Sequence, residues 1–94
     1  MVHTLATLIA RPDTVDATRE ALAALVGPTR AEDGCEHYAL FQSTDDPTRF
    51  QTVERWASAE AARAHLASDH VQAAFAAANL LGAEPVIQSF EQVV

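Results

Sequence analysis

The chain has 94 residues, with 13 Asp and Glu against six Lys and Arg and a formal net charge of −7, so a single domain over residues 1–94 is predicted. No basic run could neutralise phosphates, and no apolar stretch approaches the roughly 20 residues of a membrane span, so neither nucleic acid nor a membrane is an expected partner. The start lacks a signal-peptide pattern and Cys35 is the only cysteine, so we expect a cytoplasmic protein without a disulfide or a cysteine-based zinc site.

The residue pattern predicts four strands and three helices. Apolar, β-branched runs that end at turn residues indicate strands, whereas apolar residues three or four positions apart indicate helices. In chain order, the predicted elements are strand one over 2–10, helix one over 15–26, strand two over 35–43, strand three over 49–56, a short helix over 59–67, a helix from 69 that ends by Gly82, and strand four over 85–94.

Turn and capping residues set the predicted boundaries. Gly27 and Pro28 are expected to interrupt helix one, although residues 29–33 could add a turn or two of helix that Gly34 ends. Ser58 is a good N-cap for the short helix. The helix after it carries apolar residues along one face: Val71, Ala74, Phe75 and Ala78.

This order of elements, βαββαβ, predicts an α+β fold of the ferredoxin-like type, in which helices cover one face of a four-stranded antiparallel sheet. Both faces of the strands hold apolar residues, as in strand one, where Ala6 and Leu8 alternate with Leu5 and Ile9. A sheet that is apolar on both faces is expected to be covered on both. Since the helices suffice for one face only, we predict a sheet-to-sheet homodimer.

Histidines are the first candidates for chemistry. His65 is surrounded by small alanines, which would leave space for a pocket beside the imidazole; a half-buried structural histidine is the alternative. On one continuous helix, His65 and His70 would lie about 140° apart, so no metal site is expected from this pair. The chain also lacks a glycine-rich phosphate loop, so no nucleotide cofactor is expected.

Strand three supplies further candidates. Glu54 shares strand parity with Phe50 and Trp56, so its carboxylate is predicted to face the apolar side, where it needs a partner or a proton. Tyr38 on strand two could offer its hydroxyl to the same side. Trp56 and Tyr38 could equally serve only to fill the core. Cys35 is interpreted as a small core residue, since a nucleophilic thiol would need an activating histidine.

Short motifs that run in order over nearly the whole chain resemble the antibiotic biosynthesis monooxygenase (ABM) family. These motifs are Gly34-Cys35 with Tyr38, the stretch 50–56 that ends in Glu54-Arg55-Trp56, and His65-Leu66 followed by Ser68 and His70. The resemblance implies ferredoxin-like subunits that form a dimeric α/β barrel. It also implies a cofactor-independent monooxygenase that acts on quinols or polyketide-derived phenols, although other branches degrade haem or handle a signal sugar.

The haem-degrading branch can be compared residue by residue. The resemblance implies for that branch an asparagine on strand one, a tryptophan at the position of His65, and an axial histidine that would fall near Phe75. Strand one of this chain has no asparagine and the other two positions differ, so haem is not an expected cofactor. Because one helix position holds tryptophan in one branch and histidine in another, we expect His65 to face the pocket.

The quinol-type branch implies a mechanism that needs no cofactor. An imidazole, with an ordinary pKa near 6.5, takes the phenolic proton, and the electron-rich anion then reacts with O2 in a dry pocket. The predicted catalytic residues are His65, Trp56, Tyr38 and Glu54, and the predicted substrate-binding residues are Phe50, Phe75, Leu66 and His70. A capping or rim position is the alternative for His70. A non-catalytic module that binds a small aromatic molecule and an isomerase-type member of the superfamily remain as alternative functions.

Overall fold

The computed structural model of the protein describes residues 1–76 and 78–94 and confirms the ferredoxin-like α+β fold. In this part of the chain, no helix combines the length and the apolar character that a membrane span requires. The strands are β1 (Val2–Ile9), β2 (Cys35–Gln42), β3 (Arg49–Trp56) and β4 (Val86–Phe90). The helices are α1 (Val15–Arg30), α2 (Ala59–Leu66) and α3 (Asp69–Ala76), followed by a 3-10 turn over Ala78–Leu80.

The four strands form one antiparallel sheet in the order β2-β3-β1-β4. β1 lies at the centre, where Thr4 pairs with Glu54 of β3 on one side and with Ser89 of β4 on the other. Successive side chains of each strand point to opposite faces. Every second residue of β1 and β3 therefore faces the helices, and these residues are buried: Thr4, Ala6, Leu8, Phe50, Thr52, Glu54 and Trp56.

The hydrophobic core lies between this face of the sheet and the helices. Ala6, Leu8 and Phe50 of the sheet pack with Leu22 and Leu25 of α1. The core is small, as expected for a chain of this length. Among the described residues no helix packs against the opposite face of the sheet, and its apolar side chains are partly exposed: Phe41 (55 %), Val86 (52 %), Phe90 (47 %) and Val53 (37 %).

Helix α1 corrects one sequence prediction, because it does not break at Gly27-Pro28 but continues to Arg30. Pro28 lies in the last turn of the helix, where only a few backbone bonds depend on regular geometry. The chain after it remains hydrogen-bonded, since the N–H of Ala31 donates to the carbonyls of both Gly27 and Pro28. The proline therefore removes its own N–H bond without ending the helix.

Gly34 has a φ of +82°, which glycine adopts without steric cost. It does not end α1 itself but closes the turn that leads from Ala31 into β2. A Cβ atom at this position would lie 2.7 Å from the Cβ of Ala61 on α2. The missing side chain thus lets the turn between α1 and β2 pack directly against α2.

The two helices after β3 are separate, as the capping residues predict. The Ser58 hydroxyl accepts a hydrogen bond from the N–H of Ala61 at 3.1 Å and so caps α2. Helix α2 ends at Leu66, and the Ser68 hydroxyl donates to the carbonyl of His65 at 2.6 Å before α3 begins. The chain therefore bends between the two helices instead of continuing as one rod.

Helix α3 ends at Ala76 and not close to Gly82, whose N–H instead donates to the carbonyl of Ile9 at 2.7 Å. Val71 is buried, and Ala74 and Phe75 pack against the core, as their predicted spacing requires. The fourth residue of the predicted face, Ala78, has a side chain outside the described part of the structure.

Strand β4 is shorter than the predicted strand over 85–94. It pairs only with β1, and in this register Phe90 already lies opposite His3. Strand β1 begins at Val2, so beyond the pair His3–Phe90 only one residue of β1 is left for β4 to pair with. Residues 91–94 are accordingly irregular and exposed.

Candidate active site

His65 lies at the centre of the candidate site, near the end of α2, and is only 5 % exposed. Its Nδ1 atom is 2.8 Å from Oε2 of Glu32, in the turn between α1 and β2. A carboxylate accepts hydrogen bonds, so we assign the proton of the neutral ring to Nδ1, which leaves the lone pair on Nε2. Nε2 lies 4.0 Å from Oε1 of Glu54, which is beyond hydrogen-bond distance.

Glu54 is a buried carboxylate that two side chains of its own strand hold in place. The Thr52 hydroxyl donates to Oε2 at 2.6 Å, and the Trp56 indole Nε1 donates to Oε1 at 2.9 Å. The Thr52 hydroxyl also accepts from the N–H of Ala6 at 3.2 Å, which directs its single proton to Glu54. The alternation of β3 that the sequence predicts thus supplies the partners that a buried carboxylate needs.

Two aromatic rings pack against the imidazole of His65. The Trp56 ring lies 4.8 Å from it, measured between centroids, at an interplanar angle of 32°. The Tyr38 ring lies 5.5 Å away, edge-on, at 60°. Trp56 is fully buried, so it fixes one side of the imidazole while Glu32 fixes the protonated nitrogen. The orientation of His65 is therefore defined by packing as well as by a hydrogen bond.

Burial, with added repulsion from the charges of Glu54 and Glu32, raises the pKa of Tyr38 well above its ordinary value of 10. Tyr38 therefore keeps its proton in the physiological range and can donate a hydrogen bond. The same causes raise the pKa of the half-buried Cys35 thiol, again with burial as the largest. A thiolate nucleophile at Cys35 is disfavoured for this reason.

An apolar cavity of about 50 Å³ lies beside His65, between the sheet and the helices. A cleft of about 280 Å³ adjoins it, bounded by α2 and by strands β1 and β4. The two spaces share four lining residues: Glu54, His65, Leu66 and Ile87. A space of about 150 Å³ can hold benzene. An aromatic ring therefore fits the cleft but is too large for the cavity alone.

The site residues predicted from the sequence lie in three places: along the cavity, behind it in the core, and outside it. Most of them line the cavity: His65, Tyr38, Glu54, Leu66 and Phe75. Trp56 and Phe50 lie behind it, fully buried, and neither belongs to the described residues that line the cavity or the cleft. Trp56 thus supports His65 and Glu54, while Phe50 is part of the hydrophobic core.

His70 lies outside the cavity, on the first turn of α3. Its Nε2 atom is 3.3 Å from Oγ of Ser68 and 2.8 Å from Oε1 of Glu32. The angle of about 140° to His65 assumes a continuous helix, and it does not apply because the chain bends between α2 and α3. The two imidazole centroids are 6.1 Å apart, on either side of the Glu32 carboxylate.

Glu32 is the site residue that sequence reasoning missed. It lies 33 positions before His65 in the chain and within an acidic, polar stretch that resembles an ordinary solvated turn. Gly34, two residues later, brings this turn against α2 through its close approach to Ala61, and that contact exists only in the folded chain. No pattern in the sequence itself therefore marks Glu32.

A histidine oriented by a carboxylate at the edge of an apolar cavity is a typical acid–base arrangement of enzymes that act on small molecules. The sequence profile of the antibiotic biosynthesis monooxygenase family matches residues 1–77 of the chain. The chain belongs to this family.

Individual relatives agree with this assignment. The chain is 41% identical over 69 residues, 73% of its own length and 67% of the relative's, to "Putative monooxygenase Rv0793" of Mycobacterium tuberculosis. The solved structure of Rv0793 superimposes with a TM-score of 0.91 at 33% identity over 99% of this chain and 95% of that one. PA3566 of Pseudomonas aeruginosa gives a TM-score of 0.91 at 30% identity, over 99% of this chain and 94% of the other. The family and these relatives support a monooxygenase-like oxidoreductase function.

We predict that the single tyrosine of the protein titrates abnormally. The chain has one tyrosine and no lysine, so few groups ionise near pH 10. Because the pKa of Tyr38 is raised in the folded state, the free energy of unfolding is fully retained below about pH 10 and falls as the pH rises further. Urea unfolding at pH 8 to about pH 11 measures this decline.

The comparison is made in a Cys35→Ala background, because the thiol also titrates in the alkaline range. Cys35→Ala protein should lose stability above about pH 10, whereas the Cys35→Ala/Tyr38→Phe protein should lose much less. An equal decline in both proteins would show that Tyr38 ionises normally in the folded state.

Proposed function

We propose that the protein is a cofactor-independent monooxygenase that oxidises an electron-rich aromatic molecule, a quinol or a polyketide-type phenol, with O2. The observation that carries this proposal is the geometry of His65, whose Nδ1–H is bound to Glu32 while its Nε2 lies on the cavity side near Glu54. A cytoplasmic location belongs to the same proposal and agrees with the single free Cys35.

His65 acts in this proposal as the base that takes the phenolic proton. The imidazolium that forms is stabilised by the Glu32 carboxylate at Nδ1. Carboxylate–histidine pairs in hydrolytic enzymes stabilise an imidazolium in the same way. The protonated ring then faces the phenolate as a counter-ion. Tyr38, which keeps its proton, can donate a hydrogen bond to a substrate oxygen in the cavity.

The cleft beside the cavity provides the space for the aromatic ring. Its lining is mainly apolar, with Leu66 and Ile87 shared with the cavity. Thr4 also lines it, and its buried hydroxyl has no hydrogen-bond partner among the described residues. A second oxygen of the substrate would satisfy this hydroxyl, which favours a ring that carries oxygen at two positions.

The reaction is balanced with O2 as the only oxidant. The phenolate passes one electron to O2, and the two radicals recombine to form a carbon–oxygen bond at an unsubstituted ring carbon. The peroxide bond then breaks: one oxygen atom stays on the ring as a carbonyl, and the other leaves as water with the ring hydrogen and the proton that His65 returns. The apolar side chains that line the cavity and the cleft would limit the access of bulk water to these intermediates.

We also propose that two copies of the chain pair through the outer face of the sheet. Helices cover the inner face, whereas the outer face carries partly exposed apolar residues such as Phe41 and Val53. The outward positions at the centre of β1 and β3 are neutral, namely Leu5, Thr7, Gln51 and Val53. A neutral, partly apolar patch can face its own copy across a two-fold axis even though each chain carries a net charge of −7.

His65→Ala should lower the rate of O2 uptake with hydroquinones and anthrones by about 10²–10⁴-fold, since it removes the base. The measurement uses an oxygen electrode and protein without added metal or flavin. His37→Ala is the matched control, because His37 is exposed on β2, outside the cavity lining. Its rate should equal that of the wild type.

Unchanged O2 uptake in His65→Ala protein would contradict the role of His65 as the base. Binding of these aromatics to wild-type protein without any O2 uptake would instead indicate a carrier and would contradict the monooxygenase proposal as a whole.

Val53→Glu should convert a dimer into a monomer, because it places two like charges together at the centre of the proposed interface. Val93→Glu is the matched control, since Val93 is 92 % exposed near the end of the chain and outside the sheet. Sedimentation equilibrium gives the mass of each protein. A monomeric wild type, or a Val53→Glu variant that stays dimeric, would contradict this interface.

A further inference from the structure

We propose that Glu32, His65 and His70 form a binding site for a divalent transition-metal ion such as Zn²⁺. The three side chains offer one carboxylate oxygen and two imidazole nitrogens, and these ligand atoms lie within 4.8 Å of one another. Two histidines and one carboxylate are a ligand set that zinc and other first-row transition ions use in proteins. This inference concerns binding and stands independently of the oxidation proposed above.

Each imidazole lies beside one oxygen of Glu32. Oε2 is 2.8 Å from Nδ1 of His65 and Oε1 is 2.8 Å from Nε2 of His70, while one donor atom from each of the three residues lies within 4.8 Å of the other two. Ligands at about 2.1 Å from one ion, at angles between about 90° and 110°, are about 3.0–3.4 Å apart. Small movements of Glu32 and of the partly exposed His70 would therefore bring all three donors to one ion.

The Glu32 carboxylate has capacity for a cation. Its Oε1 atom is buried and, although near His70, forms no aligned hydrogen bond with any of the described residues. A buried carboxylate oxygen without a hydrogen bond is costly, and a metal ion satisfies it directly. The negative net charge of the chain also favours the arrival of a cation.

Access to these ligands is separate from the aromatic cleft. A further depression of about 180 Å³ lies on the outer side of α2, lined by Glu32, Asp33, Ala61, Ala64 and His65. A hydrated ion can thus reach Nδ1 of His65 from solvent without passing through the cavity. Glu54 lies 4.0 Å from the other nitrogen, Nε2, so its charge is close to the imidazole although no hydrogen bond joins them.

Metal binding would change the state of His65. An ion on Nδ1 replaces the proton there, so a neutral His65 ring carries its proton on Nε2 and has no lone pair directed to the cavity. If His65 is the base of the proposed oxidation, which this one consequence assumes, the ion is an inhibitor. The bend between α2 and α3 brings His70 to Glu32, so it would complete the site through which the ion inhibits the oxidation.

Calorimetric titration of the metal-free protein with Zn²⁺ tests the site. Wild-type protein should bind one ion per chain, and His70→Gln and Glu32→Gln should each weaken binding by more than about tenfold through loss of a ligand. Co²⁺ as a second probe should give the visible absorption of a site with nitrogen ligands. His37→Gln is the matched control, because His37 is an exposed histidine outside the cluster, and its affinity should equal that of the wild type.

Two results would overturn the site. One is absence of Zn²⁺ binding to the wild type, and the other is an affinity for Zn²⁺ in the His70→Gln and Glu32→Gln proteins that equals that of the wild type. Weakening by His37→Gln to the same degree would likewise assign the ion to surface histidines. Thermal melting of each variant without metal verifies that it is folded, so that a loss of affinity reports on the ligands.

Inhibition of O2 uptake is measured separately, relative to the metal-free rate of each protein. Zn²⁺ should inhibit the wild type and should inhibit His70→Gln at a more than tenfold higher concentration. Zn²⁺ binding without O2 uptake in any protein would support the metal site while contradicting the monooxygenase. O2 uptake without Zn²⁺ binding would support the monooxygenase while contradicting the metal site.

Discussion

The hydrogen bond between Glu32 and His65 is the interaction on which the candidate site depends. It joins the turn after α1 to the end of α2, two segments 33 residues apart in the chain. The close contact of Gly34 with Ala61 makes this approach possible, because a side chain at position 34 would displace the turn. The fold thus brings a carboxylate to one nitrogen of a buried imidazole and leaves the other nitrogen for the cavity.

The rest of the site restrains that imidazole. Trp56 packs against one side of His65 and at the same time donates to Glu54, so a single buried side chain positions two functional groups. Thr52 holds the second oxygen of Glu54. Nε2 of His65 lies 4.0 Å from Oε1 of Glu54, so Glu54 acts on the imidazole through its charge and not through a hydrogen bond. The separation of roles follows from these distances: Glu32 orients the base, and Glu54 shapes the electrostatics of the cavity.

Local patterns predicted most of the fold but only part of the site. The two-residue alternation of β3 places Glu54 and Trp56 on the buried face, and Ser58 caps α2, because both depend on neighbouring residues alone. The prediction that Pro28 interrupts α1 was wrong. Whether a helix tolerates a proline depends on where the proline lies within it, and Pro28 lies in the last turn of α1. Glu32 was missed because its role arises only from tertiary packing. The site therefore combines groups that strand parity reveals with one that only the folded chain identifies.

Glu32 is expected to fix the proton of His65 on Nδ1 and to leave Nε2 free as a base. Nitrogen NMR of the imidazole side chains in metal-free protein measures where this proton lies, and His65 is assigned among the four histidines by comparison with His65→Ala. In the neutral ring, Nδ1 should be protonated and Nε2 unprotonated, and the Glu32→Gln variant should lose this preference. A neutral His65 with its proton on Nε2 would show that Glu32 does not orient the base.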